Sequence, residues 1–200
     1  MFANSRKTKL YRIGLATLGG VLLTLPPGTA LSLDAPITSV LPWDDLEGVF
    51  LAPSSSDPAP ASIAQVSVRT ANNVPVPNAV VELTFVGATT VCGDAVLSSV
   101  TNEEGIAQLR AVGGGCANAG TTRAVIKVDG VPIRVYGSYR SPDFDGGGSD
   151  GLVTLGDLIE FALGFGTGGG NCHDYNHDGV VGLSDLTLFG PAFVAGAACR

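Results

Sequence analysis

Asp174-Tyr175-Asn176-His177-Asp178-Gly179-Val180-Val181-Gly182-Leu183-Ser184-Asp185 is the stretch from which the C-terminal part of this chain is read. Oxygen-bearing side chains stand at positions 1, 3, 5 and 12, with glycine at position 6. That is the ligand pattern of a twelve-residue calcium loop, since calcium is a hard cation that takes roughly 6–8 oxygen ligands. Asp174, Asn176 and Asp178 supply side chains from alternate residues of a tight curl. Gly179 permits the sharp turn. Val180 at position 7 offers its backbone carbonyl, and Gly182 at position 9 leaves its place to a water. Asp185 closes the shell at position 12, shorter than the usual Glu but able to bind in bidentate fashion. Val181 at position 8 faces inward, where paired loops touch.

A second copy lies upstream. Asp150-Gly151-Leu152-Val153-Thr154-Leu155-Gly156-Asp157 matches positions 5 to 12, with Leu152 offering the position-7 carbonyl. Asp143 and Asp145 match positions 1 and 3 but sit three residues too early. Gly147-Gly148-Ser149 is therefore read as an insertion bulging from the loop, and glycines make such a bulge sterically feasible. This first loop is expected to bind calcium, but more weakly. Each loop runs into an amphipathic helical pattern, carried by Leu158, Ile159, Phe161, Ala162, Leu163 and Phe165 in the first copy. Leu186, Leu188, Phe189, Ala192, Phe193 and Val194 carry it in the second. Asp157-Leu158-Ile159-Glu160-Phe161 and Asp185-Leu186-Thr187-Leu188-Phe189 mark a duplicated unit. No helical pattern precedes either loop.

Two EF-hand-type loop–helix units without entering helices resemble a type I dockerin, and the resemblance covers residues 141–193. It implies a small α module, Ca2+ as the bound ion, and a cohesin-like protein or surface scaffold as partner. In dockerins positions 10 and 11 contact that partner; the matching residues are Leu155 and Gly156, and Leu183 and Ser184. The Gly-Ser insertion and the flanking cysteines depart from the family pattern.

Residues 61–140 alternate like strands. Ile63, Val66 and Val68 precede a turn at Asn72-Asn73, and Val80, Val81, Leu83, Phe85 and Val86 follow it. Val96 to Thr101 and Ile106, Ala107, Leu109 and Ala111 flank Asn102-Glu103-Glu104-Gly105. Ala124 to Val128 meets Asp129-Gly130, a strong hairpin signal, before Val131, Ile133, Val135 and Tyr136. About seven short strands with frequent turns predict a β-sandwich. Asn73-Val74-Pro75-Val76-Pro77-Asn78-Ala79-Val80-Val81-Glu82-Leu83, with Thr101-Asn102-Glu103-Glu104-Gly105-Ile106-Ala107, is similar to bacterial immunoglobulin-like (Big-1-like) surface domains. That resemblance implies an Ig-like sandwich acting as a spacer or adhesive module. The fold expected is thus a mainly β Ig-like sandwich followed by a small α dockerin-like module.

The N-terminal residues read differently. Arg6, Lys7, Lys9 and Arg12 form a basic head, residues 13–25 are an uncharged apolar run, and Ala30 is a small residue suited to signal-peptidase cleavage. The run falls short of the roughly 20 residues of a spanning helix. Residues 1–30 are expected to be a secretory signal, residues 31–60 an extended lead-in or linker, and residues 141–200 the calcium module. The chain is expected to be secreted, extracellular or attached to a cell surface, with no stable transmembrane segment.

Of 11 basic residues four lie in the head, whereas all 18 acidic residues lie beyond it. The remainder is strongly acidic, which argues against a nucleic-acid partner. Cys92, Cys116, Cys172 and Cys199 are read as two disulfides, with three pairings formally open. The expected boundary favours Cys92–Cys116 and Cys172–Cys199. No pair has metal or redox spacing. Trp43 is expected to be packed, and His173 and His177 to be exposed bystanders. No Ser-His-Asp or Cys-His set, acid/base pair or small-molecule site is evident, so the protein is expected not to be an enzyme.

Overall fold

The computed structural model describes residues 37–53, 59–87, 89–117, 123–168 and 170–199. The expected secretory segment 1–30 lies outside the described residues, as do residues 31–36 and 54–58 of the expected lead-in. In chain order the strands are β1 (Ile37–Leu41), β2 (Val49–Phe50), β3 (Ile63–Arg69), β4 (Val80–Phe85), β5 (Thr90–Val91), β6 (Ser98–Val100), β7 (Ile106–Arg110), β8 (Gly113–Gly114), β9 (Ala124–Val128), β10 (Val131–Tyr136) and β11 (Tyr139–Arg140). Two helices follow, α1 (Leu155–Gly164) and α2 (Leu183–Val194). Among the described residues the protein is mainly β with two α-helices.

Alternation decides which side chains enter the core. In β3 Ala64, Val66 and Val68 are buried, and in β4 Val81 and Leu83 are. The antiparallel sheet β1-β3-β7 and the sheet β10-β9-β4-β6 contribute to one apolar cluster. Val40, Leu109, Ile126 and Val128 lie at its centre. The β9–β10 hairpin turns on Asp129 and Gly130, both with positive φ, at 49° and 80°. Asp129 Oδ1 also accepts the Val80 N–H at 2.9 Å, tying the hairpin to β4.

The expected lead-in carries structure where it is described. β1 adds to the edge of β3, and β2 pairs in parallel with β11. Trp43 is fully buried, as expected, and its indole N–H donates to the Ala61 carbonyl at 2.9 Å. Asp44 collects the Val40 N–H, the Tyr136 hydroxyl and the Arg134 guanidinium. Burial alone would raise its carboxyl, but those three donors hold it below the ordinary value.

A second apolar cluster joins the helices to the rest. Phe161 of α1 stacks on Phe189 of α2 at 5.3 Å and on Tyr175 at 6.2 Å, while Phe50 of β2 meets Tyr175 edge-on at 5.6 Å. Such rings bury large apolar area and prefer offset or edge contacts. The helical segment therefore packs on the strand segment, and the described residues fall in a single compact unit.

The disulfides correct the expected pairing. Cys92 bonds to Cys199 and Cys116 to Cys172, so each bridge joins the strand segment to the helical segment instead of closing within one part. The boundary argument failed because the two parts share a packed face, which brings residues distant in sequence within disulfide reach. A bridge across 107 residues restricts the unfolded chain strongly, worth about 4–5 kcal/mol in the chain-entropy description. Replacing Cys92 and Cys199 together by serine is expected to lower the urea midpoint by an amount equal to about 3–5 kcal/mol. An unchanged midpoint would show that this bridge does not constrain the chain.

Candidate calcium site

The two loops share one internal hydrogen-bond pattern. Asp185 Oδ1 accepts the Tyr175 N–H at 2.6 Å and the Asn176 N–H at 3.2 Å, and its Oδ2 accepts the Gly182 N–H at 2.8 Å. In the first copy Asp157 accepts backbone bonds from Phe144 and Thr154, the corresponding positions. Asp178 Oδ1 accepts the Val180 N–H at 2.9 Å, and Asp150 Oδ1 accepts the Leu152 N–H at 2.9 Å. Gly151 and Gly179 both have positive φ, at 86° and 90°. Each position-12 carboxylate also caps the helix that follows, bonding the backbone N–H of Thr154 or Gly182.

The position-8 residues Val153 and Val181 face inward into one apolar cluster, as the sequence led us to expect, and their backbone bonds run to the helix exits. Val181 is fully buried, donates to Thr167 and accepts from Gly166, just beyond α1. Val153 donates to Ala197, just beyond α2. Each loop is therefore zipped to the chain leaving the other unit's helix, which satisfies backbone groups left over at both helix ends.

Asp174, Asp178 and Asp185 converge: one oxygen from each lies within 4.8 Å of the others. Oxygens bound to one calcium at roughly 2.3–2.6 Å can be no more than about 5 Å apart, so the spacing fits the ion. Asp174 is 2% exposed, and its Oδ1 is buried without a hydrogen-bond partner. A buried carboxylate oxygen with no donor is costly, and a hard cation would be a fitting partner for it. Burial raises the Asp185 carboxyl, partly offset by its three backbone donors. Asn176 completes an Asx turn, accepting the Asp178 N–H at 3.1 Å and donating to Asp178 Oδ2 at 3.0 Å. The donor set is all oxygen, which suits calcium better than zinc.

The first loop is built differently at its start. Asp143 is 1% exposed and accepts the Asp150 and Gly151 N–H groups at 3.1 and 3.0 Å. Burial pushes its carboxyl up to about 7, opposed by those two bonds and reinforced by the Asp157 charge. Asp145 is exposed and turned into the insertion, with its N–H on the Gly148 carbonyl and its Oδ1 on the Gly147 N–H. The insertion leans on β5, where Ser149 Oγ meets Thr90 Oγ1 at 2.9 Å. Among the described residues, only Asp174, Asp178 and Asp185 gather three ligand groups this tightly.

Of the expected partner-contact residues, Leu155 and Leu183 are 64% and 72% exposed, and Gly156 and Ser184 are exposed beside them. The Ser184 hydroxyl donates to Asp178 Oδ2 at 3.1 Å, so it serves the loop as well. Of the residues expected on the apolar face of α1, Phe161 is buried, whereas Ile159 and Leu163 are exposed.

The histidines are not exposed bystanders. His173 is buried beside the Tyr175 hydroxyl, and His177 Nε2 lies 2.6 Å from Ser138 Oγ. Gly48 makes the second contact feasible, because a side chain there would strike the His177 ring. Sequence reasoning also missed Arg140. It is 4% exposed, and its Nη1 lies 3.4 Å from Asp174 Oδ2. The only sequence signal was an isolated arginine immediately before an acidic stretch.

No family model matches the chain, and no curated protein matches it. Among solved structures it is similar to a chain of a type II cohesin–X-dockerin complex of Acetivibrio cellulolyticus carrying an N-terminal interface mutation. Identity is 19%, the match covers 78% of this chain and 94% of that one, and the TM-score is 0.25. A superposition that poor has no bearing on fold or function.

Asp178→Ala is expected to weaken calcium binding by at least about tenfold in calorimetric titration of the full chain, whereas Asp145→Ala changes it by less than about threefold. Equal losses would contradict the asymmetry between the two loops.

Proposed function

We propose that this is a secreted, non-catalytic calcium-binding protein whose C-terminal dockerin-like module attaches, with calcium bound, to a cohesin-like partner or surface scaffold. The observation that carries the reading is the matched exposure of Leu155 and Leu183 at the same place in the two units. Single exposed apolar side chains are ordinary on a protein surface; what supports the reading is their repetition at matching positions, since a face repeated by duplication offers two related ways to dock. Ile159 and Leu163 extend the α1 stripe at helical spacing.

The chemistry assigned to calcium is structural. Bound by Asp174, Asn176, Asp178, Asp185 and the Val180 carbonyl, it would neutralise the loop and fix the start of α2, where Leu183 stands. Asp143, Asp145, Asp150, Asp157 and the Leu152 carbonyl are the corresponding set in the first unit. The sandwich, read as Ig-like, serves as a spacer. Two disulfides, and no helix among the described residues long and apolar enough to cross a membrane, are consistent with an extracellular setting.

A structural role is the second reading. It is favoured by the two bridges that bind the helical segment to the sandwich, because a rigid surface protein needs that bracing whether or not anything docks.

Capture of surface proteins from the producing cell, in calcium and in EDTA, separates them. The docking reading predicts a calcium-dependent partner whose recovery falls more than about tenfold when Leu155 and Leu183 are both changed to Asp, with calcium binding retained. Recovery unaffected by EDTA and by both substitutions overturns it.

A further inference from the structure

We propose that Arg140 is the charge-balancing residue of the second loop, supplied by β11 to make that loop a site for a divalent ion. The inference deepens the calcium reading and rests on it. Asp174 divides its carboxylate between two tasks. Its Oδ2 faces Arg140 Nη1 at 3.4 Å, while its Oδ1 is buried with no hydrogen-bond partner. The guanidinium is itself 4% exposed, and neither its Nε nor its Nη1 makes a hydrogen bond. Arginine stays protonated in proteins, so this is a permanent buried positive charge. The carboxylates are its counter-ions.

The charges then balance. Asp174, Asp178 and Asp185 bring three negative charges, and Arg140 reduces the net to two, which one calcium ion cancels. Without Arg140 the empty loop would hold uncompensated buried carboxylates, and the filled loop would keep one negative charge in excess. Arg140 therefore stabilises the loop when it is empty and limits its affinity when it is filled. It also sets the preference by charge, since repulsion between the guanidinium and the ion grows with ion charge. Ser138 meets His177 and Arg140 meets Asp174, so the chain entering β11 is held against this loop at two nearby points.

The test is calorimetric titration of the full chain with Ca2+ and separately with Tb3+, using Arg140→Met, Arg140→Lys and the unaltered protein. Asp178→Asn identifies the second-loop step by abolishing it. Arg140→Met is expected to bind Ca2+ about tenfold more tightly and to gain a larger factor for Tb3+, while Arg140→Lys stays near the parent. The Arg140→Met melting temperature in EDTA is expected to fall. Should that variant fold only with calcium, Arg140→Gln supplies the same comparison with a polar, uncharged side chain. Unchanged or weaker Ca2+ binding, or equal gains for both ions, overturns the charge-balancing role. No calcium heat in the unaltered protein overturns the calcium reading itself.

Discussion

Buried carboxylates need compensation, and most of the C-terminal half of this protein is arranged around that need. Asp143, Asp157, Asp174 and Asp185 are all nearly inaccessible. Three of them find backbone N–H donors for both oxygens or cap a helix; Asp174 has only a buried guanidinium and one open oxygen. A charge removed from water costs several kcal/mol unless something repays it. The loop curl, the helix starts and the Arg140 contact are successive answers to that one problem.

The constraint also explains why the helical segment is not left to stand alone. Two short helices bury few large side chains, and several of their leucines face solvent. Small cores of this kind usually need disulfides, a metal or a partner surface. Here Phe50 from β2 enters the aromatic cluster, and two bridges fasten the segment at Cys172 and Cys199. Cys172 lies two residues before Asp174, and the Cys199 N–H bonds the Gly151 carbonyl, so each bridge ends at a loop. The strand segment is in this sense the wall against which both loops are shaped.

Features set by short-range chemistry were legible in the sequence. The alternation in β3, β4 and β9, the Asp129-Gly130 hairpin and both loop–helix units follow from periods and turn residues that act within a few positions. Features set by packing between distant segments were not. Treating residue 140 as a boundary led to the wrong disulfide pairing, because nothing local shows that Cys92 and Cys199 approach. β1 looked like linker, since so short a strand exists only through its partner β3. His173 and His177 looked exposed, because their burial depends on Tyr175, Ser138 and Gly48. The helical period located α1 and α2 but not which apolar residues stay outside, so Ile159 and Leu163 were misplaced.

Hydrogen exchange of the full chain in calcium and in EDTA tests the central claim most directly. Calcium is expected to slow exchange in residues 174–185 and along α2, and also in β11, which packs against that loop through Arg140. Identical exchange in both conditions, or protection confined to loop residues with β11 unaffected, would contradict the account.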